Sequence, residues 1–243
     1  MKIKQTSLNI VFPPIKNFRK NYINSEEKLI GPFLQPALLP VPDTADPDIP
    51  RVVATTHGGH STLNMGLSVA SFVTTYDNEY SDDWSKCQTY IENHTDGIDG
   101  FIRELTEKRT FVGLITNLEL EGNNEGAQKL KQVLFDNRKF TDAYDISCKL
   151  TYLIEKRYFV NVTISNLRRY AGKMTSEADR IVITHDTGND ISVMLDINDR
   201  YISTHDESYI SDKVAIDRIF ELTSDFINNK LISLIESGEI SYA

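Results

Sequence analysis

The sequence predicts an α+β fold, with antiparallel sheets of meander strands, two long helices and an extended proline-rich N-terminal arm. Three observations predict it. All eight prolines lie between Pro13 and Pro50, so the rest of the chain is uninterrupted. Several later stretches alternate apolar and polar residues, which is typical of half-buried strands. Two others repeat apolar residues at three- and four-residue steps, which is typical of amphipathic helices.

The first 50 residues are predicted to form one strand and an arm that packs on a body spanning residues 51–243. A strand over residues 6–12 ends at Pro13 and Pro14, because proline removes ladder donors and restricts the residue before it. The later prolines make helix or central strand improbable, so the arm is expected to be extended. Its apolar side chains are predicted to contact the body or a partner, and they are Phe33, Leu34, Leu38 and Leu39.

The first part of the body, residues 51–107, is predicted as a meander followed by a long helix. Its strands are placed at residues 51–56, 61–67 and 69–76. The helix begins at Ser81 or Asp82 as N-cap. Gly97 and Gly100 lie inside it and indicate close packing. Its apolar stripe consists of Trp84, Cys87, Ile91, His94, Ile98, Phe101 and Leu105.

The second part, residues 108–243, repeats this order and hints at an internal duplication. It begins with a strand at 112–120 and a short helix at 125–134. The clearest strand, 144–154, forms a hairpin with 158–164. A second hairpin is predicted between 180–184 and 191–197, with the turn-rich residues 185–189 between them. Ser211 is predicted to cap the final helix.

Composition limits the classes of partner. The net charge is -9, and the body carries 20 basic against 30 acidic residues, so it repels phosphate backbones and anionic membranes. We therefore expect no nucleic-acid partner and no membrane contact. The first apolar stretch is too short for a signal peptide, and no run would span a bilayer. Cys87 and Cys148 fall on apolar faces, which fits a reducing, cytoplasmic location.

No cofactor is predicted, because the sequence lacks phosphate-binding, dinucleotide-binding and nucleophile-elbow motifs. His57 and His60 flank two glycines and are weak candidates for a metal site, with a solvent-facing turn as the alternative. His185 and His205 each precede an aspartate. A motif-poor metal-dependent hydrolase or nuclease, using these four histidines and scattered acids, is therefore the alternative function.

A cluster at residues 168–170 has a composition more typical of binding than of catalysis. Arg168, Arg169 and Tyr170 end a predicted strand, and arginine and tyrosine are enriched at protein interfaces. The same arginines would equally serve to pair with the acidic loop at residues 77–83.

The order of these signals resembles a poorly characterised group of bacterial proteins of about 250 residues and, more distantly, the SecB-like chaperone fold. The features are Val11-Phe12-Pro13-Pro14, the proline-rich extension, the aromatic-acidic loop before Trp84, and Leu167-Arg168-Arg169-Tyr170. The resemblance implies binding proteins of toxin–antitoxin or antiviral defence systems. SecB-like proteins hold other chains on an antiparallel sheet.

The sequence therefore favours a non-enzymatic protein-binding module. The contact surface is expected to be a sheet face or edge together with the arm at residues 30–50. Its partner would be another protein or a second copy of the chain, giving a homo-oligomer. A structural subunit of a larger assembly is a further alternative.

Overall fold

A computed structural model describes residues 1–29, 31–135, 142–175, 180–240 and 242 of the chain. Nine strands are described there. In chain order they are β1 (Lys2–Val11), β2 (Ala37–Leu38), β3 (Val52–Thr55), β4 (Ser61–Met65), β5 (Val69–Thr75), β6 (Phe111–Leu120), β7 (Ser147–Ile154), β8 (Tyr158–Thr175) and β9 (Arg180–Asn198). They form one antiparallel sheet in the order β2-β3-β4-β5-β1-β6-β9-β8-β7. The predicted α+β class with an antiparallel sheet is confirmed.

The helices, with their bounds, are α1 (Phe18–Ser25), α2 (Trp84–Leu105), α3 (Gly126–Leu134), α4 (Arg200–His205), α5 (Lys213–Asp225) and α6 (Leu231–Ser237). A π-helical segment, Phe226–Lys230, joins α5 to α6, and a 3₁₀ turn, Glu26–Lys28, follows α1. Every second residue of the central strands is buried, and these side chains share one hydrophobic core with α1, α2, α3, α5 and α6. Trp84 Nε1 donates to Ser224 Oγ at 2.8 Å and links α2 to α5.

The strand order is symmetric about the central pair β1 and β6. Outward from β1 come β5, β4 and β3, and outward from β6 come β9, β8 and β7. On each side the central strand comes first in the chain, a short helix follows, and then come the three strands that lie outward from it. The 22-residue helix α2 follows the first set, and the shorter helices α4 and α5 follow the second. Strands β3 and β7 therefore occupy corresponding positions, and β2 pairs on the outer side of β3.

The predicted hairpin between residues 180–184 and 191–197 is wrong. Both segments belong to the single long strand β9, which pairs along β8 through Arg169↔Gly188 and Arg168↔Asn189. Two register shifts in this pairing, at Arg169/Tyr170 and Ala171/Gly172, accommodate the turn-prone sequence. Because β6 pairs with β9 only from Ile191 onward, the outer parts of β8 and β9 extend past the sheet as a two-stranded ribbon.

Both predicted N-caps are displaced. Asp83 caps α2 by accepting from the amide of Ser85 at 2.9 Å. Asp212 caps α5 by accepting from the amide of Ala215 at 3.0 Å. Ser211 instead donates its hydroxyl to buried Asp199 at 2.6 Å, so a tertiary contact has taken the predicted capping group.

The close packing predicted at Gly97 and Gly100 is also wrong. A methyl group added at either glycine would meet no atom within 4 Å outside its own helix backbone. These glycines therefore lower the helix propensity of α2 without giving a closer contact.

Candidate interaction surface at the free sheet edge

Strand β7 is the outer strand at one end of the sheet, with β8 as its neighbour; in the described part of the chain nothing pairs with its other side. The amide of Asn166 donates to the carbonyl of Ile146 at 3.2 Å, and this bond sets which residues face β8. Antiparallel ladders alternate, so the even-numbered residues of β7 bond to β8. The backbone groups of the odd-numbered residues point away from the sheet, and these residues are Ser147, Lys149, Thr151 and Leu153.

The side chains of β7 do little to protect this edge. Its odd-numbered side chains are exposed, including Leu153 at 43%, and the even-numbered ones are half-buried against the core. Lys149 is the one charged residue in the strand. Soluble proteins usually shorten, charge or cover such an edge, because it is a template for pairing with another strand.

The opposite edge is covered by the proline arm. Strand β2 pairs with β3 through Ala37↔Val53 and Leu38↔Val52. Further bonds run from the amide of Leu34 to the Thr55 carbonyl at 2.8 Å and from the amide of Leu39 to the Arg51 carbonyl at 2.7 Å. Pro36 and Pro40 flank this two-residue outer strand, where a missing amide donor costs no ladder bond.

A buried arginine holds the arm in place. The side chain of Arg51 is 0% exposed, and its two terminal nitrogens donate to five backbone carbonyls at 2.6–3.2 Å. Such bonds from a charged donor are stronger than neutral ones. The guanidinium therefore closes the loop that leads into β3. The acceptors are the carbonyls of Pro42, Ala45, Asp46, Pro47 and Ile49.

The four predicted contact residues of the arm differ in exposure. Phe33 is buried, with its ring in edge-on contact with Phe72 at 5.9 Å between centroids. Leu34 and Leu38 are exposed, at 46% and 37%. Leu39 is half-buried. The structure thus places Leu34 and Leu38 on the surface of the arm and Phe33 in the core.

Arg168 and Tyr170 lie beside the segment that enters β7. The Arg168 guanidinium carbon is 3.7 Å from the centre of the Tyr144 ring, and its Nε donates to Asp145 Oδ1 at 2.9 Å. A bond from Asn166 and the bond from Arg168 lower the pKa of Asp145. The hydroxyls of Tyr144 and Tyr170 are 2.9 Å apart, and both rings are exposed. This cluster therefore presents two tyrosines at the start of the free edge.

Arg169 lies away from that cluster. Its guanidinium donates to Asp190 Oδ2 at 2.6 Å and to Glu119 Oε2 at 2.7 Å, which ties β8 across β9 to β6. These groups line an open polar cleft of about 570 Å³ that also contains Lys2 and Lys4. The acidic partners of Arg168 and Arg169 are thus Asp145, Asp186, Asp190 and Glu119 rather than the predicted loop at residues 77–83.

The histidines considered as metal ligands are dispersed. His57 and His60 are both exposed, and His57 Nε2 lies 3.2 Å from the Gly31 carbonyl. His185 lies on β9, and His205 on α4 stacks on Tyr201 at 4.0 Å. Among the residues that the structure describes, no group of three or more His, Cys, Asp or Glu side chains is arranged to hold a metal ion.

The sheet face opposite the core is mainly polar and internally bonded. Ser7 and Ser71 hydroxyls are 3.2 Å apart on neighbouring strands, and the Asn117 amide donates to Gln5 at 3.3 Å. At one end of this face, Tyr201 of α4 packs on Phe159 at 5.4 Å. These polar side chains already form hydrogen bonds with one another. The outward backbone groups of β7, which have no partner among the described residues, are therefore a stronger candidate for a binding surface than this polar face.

Neither a protein-family model nor any curated protein matches the chain. Within the described residues, no helix is both long and apolar enough to cross a bilayer.

Two features of the surface were not predicted from the sequence. The role of Arg51 depends on carbonyls that converge only once the arm has folded. The contact between Arg168 and Tyr144 joins residues 24 positions apart. The predicted hairpin of residues 144–154 with 158–164 would have indicated it if its pairing had been continued outward by four more residue pairs.

Proposed function

We propose that this protein is a non-enzymatic protein-binding module that receives an extended segment of a partner protein along β7. The proposal rests on the eight-residue edge strand β7, whose outward backbone groups have no partner among the described residues. Strand addition at such an edge obtains affinity from main-chain hydrogen bonds and specificity from alternate side chains.

The symmetric strand order supports this proposal, and we infer from it that the two halves arose by duplication. In the first half, the outer side of β3 is paired with an extended segment, β2, in the proline arm. In the second half, β7 holds the corresponding position. The pairing of β2 with β3 thus shows how an extended segment would pair with the outer side of β7.

The side chains around β7 favour a particular kind of segment. Leu153 at one end and the Tyr144–Tyr170 pair at the other offer apolar and aromatic contacts. Lys149, between them, would pair with a carboxylate at the facing position of the partner strand. Two copies paired with Lys149 facing Lys149 would repel, so a partner chain with an acidic residue at this register fits better than that self-pairing.

This function agrees with the resemblance noted in the sequence. Holding another chain on an antiparallel sheet is the kind of contact that SecB-like proteins make, and roles in toxin–antitoxin or antiviral defence systems would use the same contact. Both cysteines are free, with Cys87 buried, so the proposal includes a reducing cytoplasmic location.

Proline substitution at Lys149 tests the proposal. Because the Lys149 amide points away from β8, Lys149→Pro removes an outward donor without breaking a β7–β8 bond. Lys149→Ala is the matched control, since it removes the same side chain and keeps the amide. The complexes that the chain forms in its native host are purified with each variant, and their mass is measured by light scattering.

We expect the wild type and Lys149→Ala to retain a hetero-complex of fixed stoichiometry and Lys149→Pro to lose it. Circular dichroism and thermal unfolding show that each variant is folded. In the complex, the amides of Ser147, Thr151 and Leu153 should become protected from hydrogen exchange. A complex that survives Lys149→Pro, or one that leaves these amides unprotected, would contradict binding at this edge.

A further inference from the structure

A second concave site lies at the other half of the molecule, where the end of β5, the loop after it and α2 meet. It is a pocket of about 290 Å³. Tyr76, Tyr80 and Tyr90 form its walls, and the exposed carboxylates Asp77 and Glu79 stand at its mouth. The remaining lining residues are Gly58, His60 and Thr75.

The three tyrosine rings are packed on one another, and two are fixed by their hydroxyls. The Tyr76 and Tyr80 centroids are 6.4 Å apart with nearly parallel rings, and Tyr80 meets Tyr90 at 6.0 Å and 71°. The Tyr76 hydroxyl is 2.8 Å from Thr6 Oγ1, and the Tyr90 hydroxyl accepts from Ser61 Oγ at 3.0 Å. The walls therefore keep their positions without a ligand.

The acidic residues of the lining and the aromatic rings would both attract a cation. Asp77 and Glu79 carry negative charge, and no lysine or arginine lines the pocket in the part of the chain that the structure describes. Aromatic faces attract cations through their quadrupoles, and neighbouring carboxylates add to that attraction. An anionic ligand would find no lysine or arginine in this lining, and among the described residues no group of three or more His, Cys, Asp or Glu side chains is arranged to hold a metal ion.

We propose that this tyrosine pocket binds an organic ammonium group, the chemistry shared by a methylated lysine side chain and by choline. The site is separate from β7, and it adds a ligand class to the protein without depending on the proposed strand addition. The trimethylammonium head is compact and weakly hydrated, so it can leave water for the tyrosine faces at small cost.

A titration with choline and its neutral isostere tests the charge requirement. The isostere, 3,3-dimethylbutan-1-ol, has a carbon in place of the nitrogen and nearly the same shape. Binding is followed by heteronuclear NMR through the amides of residues 58–60 and 75–80. We expect choline to bind about 5- to 30-fold more tightly than the isostere, the ratio that a desolvated cation–π contact gives.

Equal binding of the two compounds would overturn the proposal and indicate a plain apolar pocket. Failure of choline, and also of a trimethyllysine methyl amide, to shift those amides would overturn it as well. The two cationic probes distinguish the source of the ligand. Tighter binding of the trimethyllysine compound supports a protein side chain, and equal or tighter binding of choline supports a free ligand.

Matched variants locate the site. Tyr80→Leu should weaken choline binding about tenfold, while Tyr80→Phe keeps the ring and should change it less than twofold. Glu79→Gln should weaken it about two- to fivefold, and Asp82→Asn, an acid of the same loop outside the pocket, should not. Thermal unfolding confirms that each variant is folded. Choline affinity that is the same in Tyr80→Leu and Tyr80→Phe would overturn the assignment.

Discussion

Replacing Arg51 by methionine should detach the proline arm from the sheet edge. The substitution keeps the side-chain volume approximately but removes both donor nitrogens, which serve five carbonyls inside a fully buried site. A hydrogen bond from a charged donor contributes about 1.5–3 kcal/mol net, and because five acceptors share two nitrogens, we count about two such bonds. Water recovers part of this loss, because residues 42–49 are mostly exposed. We therefore expect Arg51→Met to lower the free energy of unfolding by about 3 kcal/mol.

The arm also provides a matched control for that variant. Arg19 donates to the carbonyls of Leu39 and Val41 in the same arm, at 3.3 and 2.8 Å, but its side chain is exposed. Arg19→Met should therefore lower the free energy of unfolding by less than about 1 kcal/mol, since the exposed carbonyls can bond to water instead. The difference between the two variants isolates the effect of burial.

Urea unfolding measures the stability, and hydrogen exchange reports on the arm itself. The amides of Leu34 and Leu39 donate to carbonyls of β3 and its flank, so they are protected only while the arm is docked. Relative to the wild type, Arg51→Met should speed exchange of both arm amides, and by a larger factor than it speeds exchange of the β1 amides. Wild-type stability of Arg51→Met, or unchanged protection of the Leu34 and Leu39 amides, would show that Arg51 does not hold the arm.

Three further predictions concern the interior. Asp199→Ala should lower the free energy of unfolding by about 3–5 kcal/mol, because the buried carboxylate accepts hydrogen bonds from a backbone amide and two hydroxyls. Ser211→Ala removes only one of these donors and should lower it by about 1 kcal/mol, a difference that urea unfolding measures. Gly126→Ala should destabilise the protein, since the added methyl would lie 2.8 Å from the Asn189 carbonyl oxygen. Gly97→Ala should stabilise it by about 0.5–1 kcal/mol, because alanine has the higher helix propensity and the site is open. Shifts of the melting temperature in the same direction for both variants would contradict this. Burial raises the pKa of the Cys87 thiol to about 12, so with rising pH the unfolded chain loses this proton before the folded protein does. The free energy of unfolding should therefore fall as the pH rises from about 8.5 towards 12. Cys87→Ala should reduce this slope, and the same slope in the variant would show that Cys87 does not cause it.

The elements with strong periodicity were the ones that the sequence predicted well. The apolar stripe of α2 is buried from Trp84 to Leu105, apart from half-buried His94, whose Nδ1 lies 2.8 Å from the Tyr90 carbonyl. The hairpin of β7 and β8 was also predicted, with its turn at Glu155 and Lys156, which both adopt left-handed backbone. Local patterns suffice for such elements because burial of one face dominates their stability.

The errors arose where distant residues override local preference. Gly188 and Asn189 favour a turn, yet β8 supplies a continuous partner for them, so β9 runs straight through. In the same way, buried Asp199 takes the hydroxyl of Ser211 from the helix end that it was predicted to cap. Neither partner is close in sequence, and no local pattern specifies either contact.

The candidate sites were predicted only in part for the same reason. Arg168 and Tyr170 were selected by composition, but their place beside β7 depends on the pairing of strands. The tyrosine pocket is not evident from the sequence, because the local pattern of its loop is typical of a connection that ends in a helix cap. The four-residue step from Tyr76 to Tyr80, followed by Tyr90 on the next helix, was the available signal.

Hydrogen exchange of the free protein along β7 tests most directly whether the outer side of this strand is open to a partner. We expect an alternation: the outward amides of Lys149, Thr151 and Leu153 exchange rapidly, while those of Leu150 and Tyr152, bonded to β8, are protected. Slow exchange of the outward amides in dilute free protein would show that the edge is already covered, and it would contradict the proposed binding surface.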